Sequence, residues 1–283
     1  MPNDAETRPP RNEHELELRL VRMLGNDNCR MLVMRNMMAS AIAGQFLPKG
    51  AVFRGGGSLR FRFGSAFTRN TIDFDMAFEG EMDDFLDGLR ESLAIGWNGF
   101  TGDISILPQA SPRGVPAEYV MQPVDIKLRY KNNPWCRVSL EISRDEVGDT
   151  DECDLVEIPE EVAATFRALG FPVPAPISLM TLEHQVAQKL HGASDTVEGN
   201  GRAHDLIDLQ LILRGSNIDL GKTRKICERL FAWRRRQTWP TSIVARKDWG
   251  GIYDSHRRGL DVLPSVAEAV DWANALIDKI VRS

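Results

Sequence analysis

The spacing of apolar positions changes character along this chain. Residues 13–25 and 28–46 have helical periodicity. The second stretch, NCRMLVMRNMMASAIAGQF, is apolar on most faces, which predicts a well-buried helix with methionines as core filler. Pro48-Lys49-Gly50 breaks it, and Ala51-Val52-Phe53 reads as a short strand entering the turn Arg54-Gly55-Gly56-Gly57. Residues 58–63 are placed to form a helix whose amino end lies at that turn, and residues 71–78 read as a second strand. Helical spacing returns over 81–95. Alternation then predicts strands over 102–107, 119–129 and 137–143. In the second of these Val124, Ile126 and Leu128 alternate with Asp125, Lys127 and Arg129; in the third Val138, Leu140 and Ile142 alternate with Ser139 and Glu141.

The proline-rich run FPVPAPISLM, residues 171–180, predicts an extended connector. Beyond it the pattern is helical only: 181–192, with Gly192 as a C-terminal stop, then 203–214, 220–236 and 264–282. The expected layout is a disordered N-terminus (1–12), a mixed α/β domain (13–170), the connector (171–180) and a helical domain (181–283).

Composition narrows the class. With 283 residues, 42% hydrophobic and 27% charged, the chain has the make-up of a soluble globular protein of one large or two smaller domains. No apolar run is long enough for a membrane span, and MPNDAETRPPRNEHE lacks the apolar core of a signal peptide, so a cytoplasmic protein is expected. Cys29, Cys136, Cys153 and Cys227 have neither zinc nor disulfide-framework spacing and are expected to be free thiols. A net charge of −5 excludes a cationic nucleic-acid binder overall, yet residues 217–262 carry eleven Lys/Arg against five Asp/Glu. Trp233, Trp239, Trp249 and Tyr253 are interleaved there. That composition suits an RNA surface, and equally a solvated helical face over buried aromatics; both readings stand.

The chemistry concentrates between residues 54 and 75. On a strand Asp73 and Asp75 project to one face, while Ile72, Phe74 and Met76 face the other. Two such carboxylates raise each other's pKa unless a cation lies between them, and hard oxygens suit Mg²⁺. The preceding turn offers backbone N–H groups and the Ser58 hydroxyl to a phosphate, with the dipole of a following helix behind them. Together these suggest a site for a metal-bound nucleoside triphosphate. A third carboxylate would complete a two-metal site; Glu141 and Asp125, each on a polar strand face, are the alternatives. His184 and His191 have no partners at ligand spacing and read as surface or packing residues.

These motifs resemble, in order, those of the AbiEii/AbiGii-type nucleotidyltransferase toxins, which include mycobacterial toxins of the same fold. The matching residues are Arg54-Gly55-Gly56-Gly57-Ser58-Leu59, then Arg69, Thr71, Asp73 and Asp75, then Glu183 with Lys189-Leu190, and Arg202-Ala203-His204-Asp205-Leu206-Ile207-Asp208-Leu209. The resemblance runs from about residue 45 to about 215. It implies an α+β fold, a polymerase-β-like mixed sheet with flanking helices followed by a helical C-terminal domain. It also implies Mg²⁺-dependent transfer of a nucleoside monophosphate from an NTP to RNA, the tRNA 3′ end in some members, by a toxin with a cognate antitoxin or a phage-defence role.

Carried over, Asp73 and Asp75 hold Mg²⁺, with Glu141 as the third acid, and Gly56, Gly57, Ser58, Arg69 and Lys189 bind the nucleotide. Lys189 also neutralises charge on the leaving group, and Asp205 orients Lys189 or the acceptor. Arg54, Thr71, Arg202 and Asp208 lie beside these. Two positions depart from the pattern: Gly57 stands where threonine is common, and His204 where Arg or Lys usually precedes the aspartate. The resemblance leaves two alternatives open, a protein or small-molecule acceptor and an inactive nucleotide-binding member of the fold.

Overall fold

The structure, a computed structural model, describes residues 8–25, 27–64, 67–69, 74–110, 120–197 and 199–283. In chain order the elements are α1 (Glu13–Leu24), α2 (Asn28–Gly44), β1 (Val52–Arg54), α3 (Gly55–Phe63), β2 (Phe74–Phe78), α4 (Met82–Ile95), β3 (Phe100–Ile106), β4 (Gln122–Tyr130), β5 (Asn133–Arg144) and β6 (Cys153–Val156). They continue with α5 (Glu160–Ala168), β7 (Ile177–Met180), α6 (Leu182–Ser194), α7 (Ala203–Gly215), α8 (Leu220–Arg234), α9 (Trp249–His256) and α10 (Val266–Arg282). No helix among the described residues is long and apolar enough to cross a membrane.

The chain divides into two compact units: Met1–Phe53, Ile72–Arg144 and Asp154–Leu179 form one, and Arg54–Thr71, Asp145–Cys153 and Met180–Ser283 the other. The sequence predicts a single cut at the connector. The structure instead groups two segments of the first half, 54–71 and 145–153, with the C-terminal helices.

The first unit is built on the sheet, in strand order β3-β4-β5-β2-β1-β7-β6. The β3–β4 and β4–β5 pairs are antiparallel, whereas β2 runs parallel to β5 and β1 parallel to β7. The β4–β5 hairpin turns on Lys131 and Asn132, both at positive φ as a tight hairpin twist requires. Val124, Ile126, Leu128, Val138, Leu140 and Ile142 are all buried, as their alternation predicts. Helix α1 buries Leu16, Leu20 and Leu24 at four-residue spacing, and α2 buries Met34, Met37 and Met38.

Three expectations need amendment here. Of the N-terminus expected to be disordered, residues 1–7 lie outside the described residues; residues 8–12 are tied down, because the Tyr130 hydroxyl donates to Pro10 O at 2.7 Å and Arg19 to Arg8 O at 2.8 Å. The expected connector ends in β7, whose Leu179 registers with Phe53 of β1, since Ile177, Leu179 and Met180 are apolar and buried. Helix α6 runs two residues past Gly192. That glycine serves a close approach instead: a Cβ there would stand 3.1 Å from Asp205 Oδ2.

The second unit packs α3, α6, α7, α8, α9 and α10 around one apolar core that includes Leu59, Leu190, Leu206, Leu230 and Leu276. Trp249 and Tyr253 are fully buried in it. Trp249 Nε1 donates to Asn200 O at 2.6 Å and the Tyr253 hydroxyl to Leu263 O at 2.9 Å, so each ring buries its apolar body and satisfies its polar tip.

Candidate active site

In the first unit the acid-bearing strand is placed by its apolar neighbours. Phe74 and Met76 are buried, and pleating turns Asp75 to the opposite, more open face. Asp75 registers directly with Glu141 on the parallel neighbour β5, where Leu140 and Ile142 are likewise buried. Adjacent strands lie about 4.8 Å apart, so two carboxylates share one face at close quarters. Asp125 is differently placed: it is buried, and accepts from Ser139 Oγ at 2.8 Å and Arg137 at 3.4 Å. Asp73 and Thr71 lie outside the described residues. Among the described residues no three His, Cys, Asp or Glu side chains gather as a metal site. The Asp75–Glu141 pair nonetheless offers the hard, anionic oxygens that Mg²⁺ takes, at one register position of adjacent strands, so the donor chemistry fits that ion.

In the second unit the glycine turn is the first turn of α3 rather than a loop before it. Arg54 is the N-cap with extended backbone and no capping side-chain bond, and Gly55 enters the helix at φ 70, a conformation that favours glycine. The uncapped N–H groups of that turn are suited to an anion. Ser58 is placed otherwise. Its hydroxyl is fully buried and lies 2.8 Å from Gly55 O and 3.2 Å from Gln185 Oε1, packing α3 on α6. A phosphate-binding role at this turn therefore rests on its backbone N–H groups. Gly55, which the motif analysis did not single out, is the residue whose conformation makes the turn.

Around Lys189 the structure builds a buried network. Lys189 Nζ donates to Asp208 Oδ2 at 2.6 Å and to Asp205 Oδ1 at 3.1 Å. Arg69 Nε bridges both Asp208 oxygens, at 2.9 and 3.0 Å. Lys189, Asp205 and Asp208 are 6%, 3% and 1% exposed, so the charges are removed from water and compensate one another. Burial disfavours the Lys189 ammonium, but the Asp208 and Asp205 carboxylates outweigh it and hold its pKa above the ordinary value. Burial likewise opposes the Asp208 carboxylate, yet Lys189 and Arg69 hold it down at about 2. Arg202 is the outlying member, exposed and 3.9 Å from Asp205 Oδ2. Arg69, expected to bind nucleotide, is thus engaged in clamping Asp208, and Asp208 is the nearer of the lysine's two carboxylates.

The histidines are packing groups. His184 Nδ1 lies 2.9 Å from Thr181 Oγ1, and His191 meets the Phe231 ring at a centroid distance of 4.8 Å. Burial, reinforced by Arg234, pushes His191 down to about 3, and burial pushes His204 down to about 4 although Asp205 pulls the other way. His204 therefore places no cation beside Asp205 at neutral pH. The unfolded chain takes up both protons near pH 6.5, so these two sites destabilise the native state as pH falls. Asp149 opposes them: burial raises it to about 7, and the native state keeps a proton that the unfolded chain has released. Two protons against one leave a net slope, and stability is expected to fall by about 1.4 kcal/mol per pH unit between about pH 6 and pH 5. His184 and His256, also lowered by burial first, steepen it. Urea unfolding at several pH values measures the slope; a flat profile would contradict it.

The basic C-terminal run is mostly spent internally. Arg234 pairs with Glu146, Lys222 with Glu152, Arg236 with Asp195 at 2.8 Å and Arg257 with Asp254 at 2.7 Å, while Arg229 donates to Val147 O. Lys225, Arg235, Lys247 and Arg258 are exposed and have no ion-pair partner among the described residues. The packing reading holds for Trp249 and Tyr253, whereas Trp233 is 48% exposed.

A family model described as the nucleotidyl transferase AbiEii toxin of type IV toxin–antitoxin systems matches residues 37–276. No curated protein matches the chain. Among solved structures it is similar to MenT4, a nucleotidyltransferase toxin from Mycobacterium tuberculosis H37Rv, at 17% identity over 94% of this chain and 98% of that one, with a TM-score of 0.48. JHP933 from Helicobacter pylori aligns at 16% identity over 87% and 89% of the two chains, with a TM-score of 0.45. An antigenic nucleotidyltransferase-like protein from Paracoccidioides brasiliensis aligns at 14% identity over 71% and 89%, with a TM-score of 0.41.

Proposed function

Because this chain belongs to the AbiEii family of nucleotidyl transferase toxins of type IV toxin–antitoxin systems, we propose that it transfers a nucleoside monophosphate from a Mg²⁺-bound NTP to the 3′ end of a tRNA. The observation that carries the reading is the carboxylate pair of Asp75 and Glu141 at one register position on an otherwise apolar strand pair. Asp75 and Glu141, with Asp73, would hold Mg²⁺, which when bound polarises the reacting phosphate as a Lewis acid. The backbone N–H groups at Gly55, Gly56 and Gly57 bind phosphate oxygens at the amino end of α3. Lys189 supplies a cation whose position Asp205 and Asp208 fix, so that its charge needs no reorganisation as charge develops on the departing pyrophosphate. The acceptor hydroxyl attacks the α-phosphorus and gives up its proton to solvent; the bond to the bridging oxygen breaks, and pyrophosphate leaves with that electron pair.

The exposed Lys225, Arg235, Lys247 and Arg258, with Trp233 among them, support an RNA acceptor through phosphate contacts and base stacking. Incubation with each labelled NTP, Mg²⁺ and total tRNA tests this. Label is expected on tRNA, and is expected to vanish when the 3′-terminal diol is oxidised beforehand. Label on protein or a small molecule alone would replace the RNA acceptor, and no transfer to anything would count against the enzyme reading.

A further inference from the structure

A buried carboxyl group that this chemistry does not use lies beside the glycine turn. Asp149 is fully buried; its Oδ1 accepts the Glu146 N–H at 3.0 Å and its Oδ2 the Gln188 amide at 2.9 Å. Arg54 Nη1 stands 3.7 Å from the same Oδ2. Arg54 is itself 92% buried by the complement of its 8% exposure, and Nη1 makes no hydrogen bond to any described residue. A buried guanidinium nitrogen left without a hydrogen bond is costly, and its natural partner is an oxyanion. Arg54 is the N-cap of α3, and Gln188 precedes Lys189 on α6, so the pair is tied at both ends to residues already assigned.

We propose that Asp149 is a positioning residue for Arg54: ionised, it draws the guanidinium to itself, and protonated, it yields Arg54 to an oxyanion, the triphosphate of the substrate. This rests on the phosphate role proposed for the turn. Burial, opposed by Arg54, places the Asp149 titration at about 7, so both forms are populated near neutral pH. The charged neighbours are accounted for. Asp145, in the same loop, raises Asp149 while its own carboxylate accepts from Thr150 and Gly148. From α8, Arg234 is engaged by Glu146 and Arg229 by Val147 O, with Asp151 beside Gly148. Gln188, from α6, is neutral.

The test is calorimetric binding of inorganic tripolyphosphate to the full chain at pH 6 and pH 8, without metal. Dividing the affinity of Asp149→Asn by that of the wild type at each pH cancels the probe's own titration. The ratio is expected near one at pH 6 and about fivefold or more in favour of the variant at pH 8. In an Arg54→Gln background it is expected near one at both. Gln188→Met removes the amide that steadies the Asp149 carboxylate, and is expected to extend tight binding to higher pH while Asp149 itself is intact. A ratio that does not change with pH, or a change that persists without Arg54, overturns the inference while leaving the phosphate reading in place. No binding by the wild type at either pH overturns both.

Discussion

Lys189→Met is expected to lower stability by about 3–5 kcal/mol, the cost of removing one partner from a buried ion pair. The size follows from the surroundings. The ammonium donates to both Asp205 and Asp208, and Lys189 is only 6% exposed. Without it, two buried carboxylates share Arg69 and the exposed Arg202, and one must take up a proton to remain buried. Asp208→Asn in the Lys189→Met background removes that surplus charge and is expected to recover part of the loss, a coupling that a double-mutant cycle measures. Urea midpoints read at constant m would give both numbers. The pH of the measurement matters little near neutrality. Asp208 is held at about 2, so its contribution is present above the unfolded value of about 3.9 and is lost as pH falls towards 2. Lys189 is raised, so its contribution is full below the unfolded value of about 10.4 and is lost only as pH rises through the higher native one. A double variant whose loss equals the sum of the two single losses would show that the network is not a coupled unit.

How much of this was legible differs by element. Alternation places Val124 to Leu128 and Val138 to Ile142 correctly, because a strand's two faces are written two residues apart. It also puts Glu141 on an open face, but the pairing of β5 with β2, which sets Glu141 opposite Asp75, is a long-range choice with no local trace. The start of α3 was displaced because glycines read as loop, whereas Gly55 enters the helix at positive φ. No periodicity marks the segment 145–153, where Asp149 is buried because Arg54 and Gln188, distant in sequence, close around it. The basic run misleads for the same reason: a tally of arginines does not show that Glu146 and Asp195 already hold Arg234 and Arg236. Short elements such as α5 and β6 carry too few periods to stand out.

Asp75→Asn is expected to have the opposite profile to Lys189→Met: nearly intact stability and nearly complete loss of transfer. A carboxylate placed directly across from Glu141 meets a like charge, an arrangement that weakens a strand pair. Asparagine keeps the shape of the side chain and one accepting oxygen, so the melting temperature is expected to change little in the absence of metal. Metal stabilisation of a developing phosphate charge is worth several kcal/mol, and a loss of about 4 kcal/mol lowers the rate about a thousandfold. The two effects separate in one further measurement. A ligand that binds only the native state raises the melting temperature in proportion to the logarithm of its saturation, so Mg²⁺ with NTP is expected to stabilise the wild type and to leave Asp75→Asn unmoved. Glu141→Gln tests the partner at the same register and is expected to shift both readouts in the same direction by a smaller amount, since Glu141 is exposed and Asp75 only half so. Transfer that survives Asp75→Asn at wild-type rate would remove the carboxylate pair from the chemistry and leave the network at Lys189 as a purely structural device.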